Sequence, residues 1–165
     1  MKKLVFLALL LSFARVGYAQ DEYMQLLRSD VKTQRVGIIT EVMQLQGEEA
    51  DKFWEVYREY EYEGSKIGDQ RVALIKDYAA AYETMTDEKA EELMGRAFDI
   101  DQQRLALSKK YYKQFEKAVG PITAAKFMQV DNQLNLLVDL QISQALPLVQ
   151  EGMKHDGEHE GHEGM

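Results

Sequence analysis

Three histidines lie near the end of the chain. His155, His159 and His162 are interleaved with Asp156, Glu158, Glu160 and Glu163. Imidazole and carboxylate at such short separations suit zinc, copper or nickel, and Met153 and Met165 add thioethers suited to copper(I). A segment of glycine, histidine and acid buries little apolar surface, so ordering it around a metal costs entropy and weak binding is expected. The plainer reading of the same residues is a solubilising acidic end.

The chain has no other histidine. Residues 20–148 therefore hold no imidazole base, no Ser-His-Asp arrangement and no Glu-x-x-His pair for a di-iron bundle. Asp99 and Asp101 are close in sequence, but Phe98-Asp99-Ile100-Asp101-Gln102 lacks the glycine and downstream ligands of a calcium loop. In so acidic a chain, neighbouring carboxylates read as solvated helix faces. There is no cysteine, which excludes thiol chemistry and disulfides. The expectation is a protein that is not an enzyme and requires no cofactor.

Binding is the chemistry left, and two groups of residues are candidates for it. Arg71 and Arg104 stand where an apolar stripe calls for apolar side chains. Trp54, Tyr57, Tyr60, Tyr62 and Tyr111 belong to a concentration of aromatics, of which Trp54 and Tyr62 lie off the main stripe and need a second surface. Together the seven are the candidate client or dimer surface, because exposed apolar patches and aromatic interfaces serve recognition. The competing reading is ordinary packing for the tyrosines, with the arginines in register-fixing ion pairs or snorkelling to the edge.

The elements that position these residues follow from spacing. Phe53, Tyr57, Tyr60, Gly64, Ile67, Arg71, Leu74 and Tyr78 alternate by four and three, as do Leu93, Ala97, Ile100, Arg104, Leu107 and Tyr111. Each set forms one stripe of a long helix. Folding them back at Thr84-Met85-Thr86-Asp87 makes a helical hairpin in which residue i faces about 170 minus i. Arg71 then falls near Asp99, and Arg104 near Lys66 and Ile67, within reach of Glu63. The stripe Met24, Leu27, Val31, Arg35, Ile38 and Val42 predicts an earlier helix from Tyr23 to Met43.

The second helix is predicted from Gly47 or Glu48 to Tyr82, with acids in its first turn favoured by the helix dipole. Thr86 is the expected N-cap of the third, over Asp87–Val119. Gly120 stops that helix, and Pro121 opens a fourth that runs to Leu146 and ends at Pro147. The fold class is thus all-α: an elongated hairpin of two long helices, a shorter helix before and after, and a dimer as the expected assembly.

Residues 1–19 read as a signal peptide. Lys2 and Lys3 precede an apolar run, Leu4 to Phe13, and Gly17-Tyr18-Ala19 places cleavage after Ala19. The run is too short to span a bilayer of roughly 30 Å, so no stable membrane insertion is expected. Removing Lys2, Lys3 and Arg15 takes the formal charge from -8 to -11. That balance disfavours nucleic acid as a partner. The domain plan is a leader at 1–19, a helical domain at 20–148 and a disordered His/acidic tail at 149–165.

Met85-Thr86-Asp87-Glu88-Lys89 and Leu45-Gln46-Gly47-Glu48-Glu49 both precede or open helices. With Phe53-Trp54-Glu55-Val56-Tyr57-Arg58-Glu59-Tyr60, they resemble the Spy/CpxP-like (LTxxQ) family over roughly residues 23–145. The first segment has Met for Leu and Lys for Gln; the second has Gln for Thr and Glu for Gln. The resemblance implies an all-helical, often dimeric, cradle-like periplasmic protein. Known members act as ATP-independent chaperones, envelope-stress modulators or metal-responsive proteins. The expected function is therefore chaperone-like or envelope-stress binding in the periplasm, with unfolded or envelope proteins as clients. A metal-binding or metal-sensing protein using the tail is the alternative.

Overall fold

The computed structural model describes residues 32–149. The leader, the predicted helix start at Tyr23 and the tail histidines His155, His159 and His162 lie outside the described residues. Within them the protein is all-helical, without strands. Helix α1 covers 32–43. It is followed by α2 (Gly47–Ala81), a short 3-10 turn (Tyr82–Thr84), α3 (Asp87–Val119) and α4 (Pro121–Ala145).

Local chemistry explains each boundary. Gln44 leaves α1 with φ 52°, the left-handed conformation that stops a helix. The Thr86 side chain accepts a hydrogen bond from the Lys89 N–H at 3.2 Å, one of the donors that the first turn of α3 leaves unpaired. Gly120, at φ 81°, ends α3 by donating its N–H to the Glu116 carbonyl at 3.0 Å. Its own carbonyl accepts from Ala124 and starts α4, with Pro121 in the first turn where no N–H is needed.

Helix α2 has 35 residues and α3 has 33, so each is roughly 50 Å long at about 1.5 Å per residue. They pack in opposite directions. Glu63 meets Lys110, Gln70 meets Gln103 and Asp77 meets Arg96, each pair of numbers summing to 173. Helix α4 turns back along α3, with Phe127 beside Phe115 at 4.4 Å and Asp139 beside Arg104.

The core lies at one end, where all four helices meet. It comprises Ile39 and Met43, then Phe53, Tyr57 and Tyr60, then Tyr111 and Phe115, and finally Ala124, Phe127 and Val130. Phe127 is its centre: Phe53, Tyr57 and Tyr60 all present rings nearly perpendicular to it, at 5.1–5.9 Å. Edge-to-face contacts of this kind add about 0.5–1.5 kcal/mol each to the burial itself. Toward the α2–α3 turn the core thins, and α2 has no buried residue beyond Ile67.

Truncating Phe127 to alanine is expected to cost about 3–5 kcal/mol, because the surrounding rings cannot close the cavity. The exposed Met94, truncated likewise, is expected to cost under about 0.5 kcal/mol. Urea unfolding followed by circular dichroism measures both.

Candidate binding cleft

Helix α4 runs alongside α2 but keeps its distance, and no Cα of one comes within 8 Å of a Cα of the other. The space between them, here called the cleft, is filled differently along its length. In the lower half α1 lies within it. Lys126 donates to the Val42 carbonyl at 2.6 Å, Lys32 pairs with Glu61 at 2.7 Å, and Ile39 is fully buried between them and the core. In the upper half, among the described residues, long side chains cross. Arg71 of α2 and Arg104 of α3 both reach Asp139 of α4, and the Tyr78 hydroxyl donates to the Pro147 carbonyl at 2.7 Å.

A second carboxylate anchors the lower half. Asp131 is 2% exposed and sits in a closed network drawn from three helices. Arg35 of α1 pairs with one carboxylate oxygen. The Tyr60 hydroxyl donates to the other at 2.7 Å and the Asn135 amide at 3.0 Å. Arg35 also donates to the Asn135 carbonyl oxygen at 3.1 Å. A buried carboxylate is tolerable only when paired and hydrogen-bonded on both oxygens, and here it is.

The electrostatics follow from this arrangement. Burial alone would pull Arg35 down, but the charge and hydrogen bond of Asp131 outweigh it, and its pKa lies above the ordinary arginine value. Burial, then the adjacent Asp131 charge, pushes Tyr60 well above the usual phenol range. Burial pushes Tyr57 up to about 12. The Tyr57 hydroxyl lies in the field of Arg35, yet its geometry falls short of a hydrogen bond. Both phenols stay neutral at physiological pH and neither is a base.

The arginine partners expected from the sequence are not the ones found. Glu63 is held by Lys110 at 2.7 Å instead of Arg104. Asp99 lines a shallow depression with Gln70, Ala73, Arg96, Ile100 and Gln103, on another side of the helix pair from Arg71. The reason is α4: it brings Asp139 to the stripe that Arg71 and Arg104 share, a partner 68 residues from Arg71 in the chain. Besides the exposed Asp101, which lies 3.8 Å from Arg104, Asp139 is the carboxylate that both guanidiniums share. Arg71, Arg104 and Asp139 are about one-third exposed, so the pairs contribute little to stability.

Of the aromatic candidates, Tyr57, Tyr60 and Tyr111 are 3%, 8% and 1% exposed. They are core residues and cannot present their rings to a client or a second subunit in this fold. Trp54 is half-buried, edge-on to Phe53 at 5.1 Å and to Tyr57 at 5.2 Å. Tyr62 is 64% exposed, with Lys66 over its ring at 4.2 Å.

Apolar side chains are displayed elsewhere, on α3 at Met94, Phe98 and Leu105 and, more densely, along the second half of α4 and just after it, a stretch the sequence reading did not single out. From Asn132 to Val149 the sole charged residue is Asp139, which two arginines neutralise. Leu136, Leu137, Leu140, Leu148 and Val149 are each more than half exposed there. Leu137, Leu140 and Gln144 share a helical face with Lys126, the residue that touches α1, since multiples of about 100° per residue bring them together. The same spacing runs from Glu61, at the α1 side of α2, through Gly68, Val72, Ile75 and Ala79. By helical spacing, these two rows lie on the sides of α4 and α2 that α1 contacts lower down. The signal was available in the sequence, as a long stretch of an acidic chain almost without charge.

Among the described residues no three of His, Cys, Asp and Glu gather to hold a metal ion, and no helix is long and apolar enough to cross a membrane. Comparison with protein-family models, with curated proteins and with solved structures finds no match.

Replacing Asp131 with alanine strands Arg35 and is expected to cost about 3 kcal/mol, as for other broken buried pairs. Arg71→Leu, at the open pair with Asp139, is expected to cost less than about 1 kcal/mol. Equal losses for the two in urea titrations would contradict this division of the cleft.

Proposed function

We propose that this protein is a non-enzymatic, chaperone-like binding protein of the bacterial periplasm, an elongated helical hairpin acting as a homodimer. Its clients are unfolded or envelope proteins, held by apolar contact along α4 and the upper cleft. The observation that carries this reading is the exposed, almost uncharged face from Asn132 to Val149 on a chain of net charge -8. Exposed apolar side chains gathered on so nearly uncharged a stretch are a mark of binding surfaces. Depletion of charge is the compositional mark of an interface centre. The surrounding negative charge keeps the protein soluble while that face stays open.

The helix-start motifs that resemble the Spy/CpxP-like family support the same reading, as does the leader-like N-terminus. The second reading, metal binding or sensing, rests on His155, His159 and His162 alone.

One assay separates them. The protein is expected to suppress light scattering by reduced, denatured lysozyme, and Leu137→Glu with Leu140→Glu is expected to remove at least half of that effect without loss of helix signal. Deleting residues 152–165 should leave suppression intact and abolish zinc or copper binding. A wild-type protein with no effect on scattering sinks the client reading.

A further inference from the structure

Helix α1 is attached differently from the other three. Helices α2, α3 and α4, the body, share rings without it: Phe115 meets Phe53 at 5.2 Å and Phe127 at 4.4 Å, and Tyr60 meets Tyr111 at 5.4 Å. Among the described residues of α1, Ile39 and Met43 are buried, Arg35 and Val36 are half-buried, and the rest are exposed. Charged contacts accompany them: Arg35 on Asp131, Lys32 on Glu61 and the Lys126 ammonium on the Val42 carbonyl. The last two are open to solvent and contribute little. In the first, attraction is offset by the cost of taking both charges out of water.

The link to α2 is short and strained. Gln44 is the non-glycine residue with positive φ among the described residues, at 52°, and Gly47 follows at 58°, so two left-handed residues bracket Leu45 and Gln46. A residue with a side chain is held there at a cost that a change in the link releases. A second cost lies beside Arg35. Tyr57 is 3% exposed, and among the described residues its hydroxyl has no hydrogen-bond partner. Withdrawing α1 brings that hydroxyl to water, which favours opening.

We propose that α1 is a strap. It opens as one unit about the Gln44–Gly47 link while the body stays folded, and the opening uncovers Asp131 and the hydroxyls of Tyr57 and Tyr60. Asp131 is the catch. Its carboxylate keeps Tyr60 and Asn135, both from the body, when Arg35 leaves, so the seat is a preformed acidic site. The resident shows what the seat takes: a guanidinium followed at four and eight residues by apolar side chains, as in Arg35, Ile39 and Met43. That a client segment of this kind competes with α1 rests on the client reading; the opening itself does not.

The chain contains no cysteine, so one introduced thiol reports exposure without background. In the full-length protein carrying Met43→Cys, labelling by dithiobis(nitrobenzoate) is expected to give an opening constant at least a hundredfold larger than amide exchange gives for residues 53–60 of the body. Its urea dependence should be less than a third as steep, because a strap exposes less surface than global unfolding. Ile39→Cys, one turn further from the link, should agree within threefold, and it stands in should Met43→Cys disturb folding. A tenfold or larger gradient between the two would mean fraying and overturn opening as a unit. Adding Arg35→Gln should raise the opening constant at least tenfold without steepening the urea dependence; no change would overturn Asp131 as the catch. Equal opening constants and equal urea slopes at 43 and at 53–60 would overturn the proposal, since α1 would then leave only with global unfolding. Because lysozyme scattering is scored separately, a protein inactive as a chaperone can still open, and an active one can stay shut.

Discussion

Burying Asp131 obliges three helices to meet at one point. Its carboxylate is satisfied by Arg35 from α1, by Tyr60 from α2 and by Asn135 one turn further along α4. Removing any of these partners leaves a charge or lone pair in a low-dielectric site, so the network specifies the position of α1 in the cleft more sharply than apolar packing alone. The aromatic box around Phe127 supplies the burial, and the carboxylate supplies the register.

The same geometry explains why the two ends of the molecule differ. Helices α2 and α4 stay too far apart for backbone-to-backbone packing. Where α1 lies between them, rings and aliphatic side chains close the gap. Above the described part of α1, among the described residues, arginine and tyrosine side chains cross, and their heads remain partly exposed at Asp139 and Pro147. Polar struts thus link α2 and α4 in the upper half, with exposed apolar side chains of α4 beside them.

Helix boundaries were legible because they are set locally. The Thr86 cap, Gly120 with Pro121, and the break at Gln44 depend on backbone chemistry within a few residues, and the structure has them where the pattern predicts. The roles of the tyrosines were not legible. A stripe of Tyr57, Tyr60 and Tyr111 has the same spacing whether it lines a groove or fills a core, and α1 and α4 decide the matter by covering it. The partner of Arg71 was hidden for the same reason: a two-helix register cannot foresee a carboxylate delivered by α4. Asp131 looked like any other acid in an acidic chain, although its place between Phe127, Val130 and Leu134 marked it as facing inward.

Hydrogen exchange along α2 tests this division most directly, since local opening reports how well each turn is packed. The account predicts that amides at residues 53–60 exchange about a hundredfold more slowly than those at 72–79, with the same contrast in α4 between 124–131 and 137–144. Even protection along both helices would contradict a molecule packed most tightly at its aromatic end.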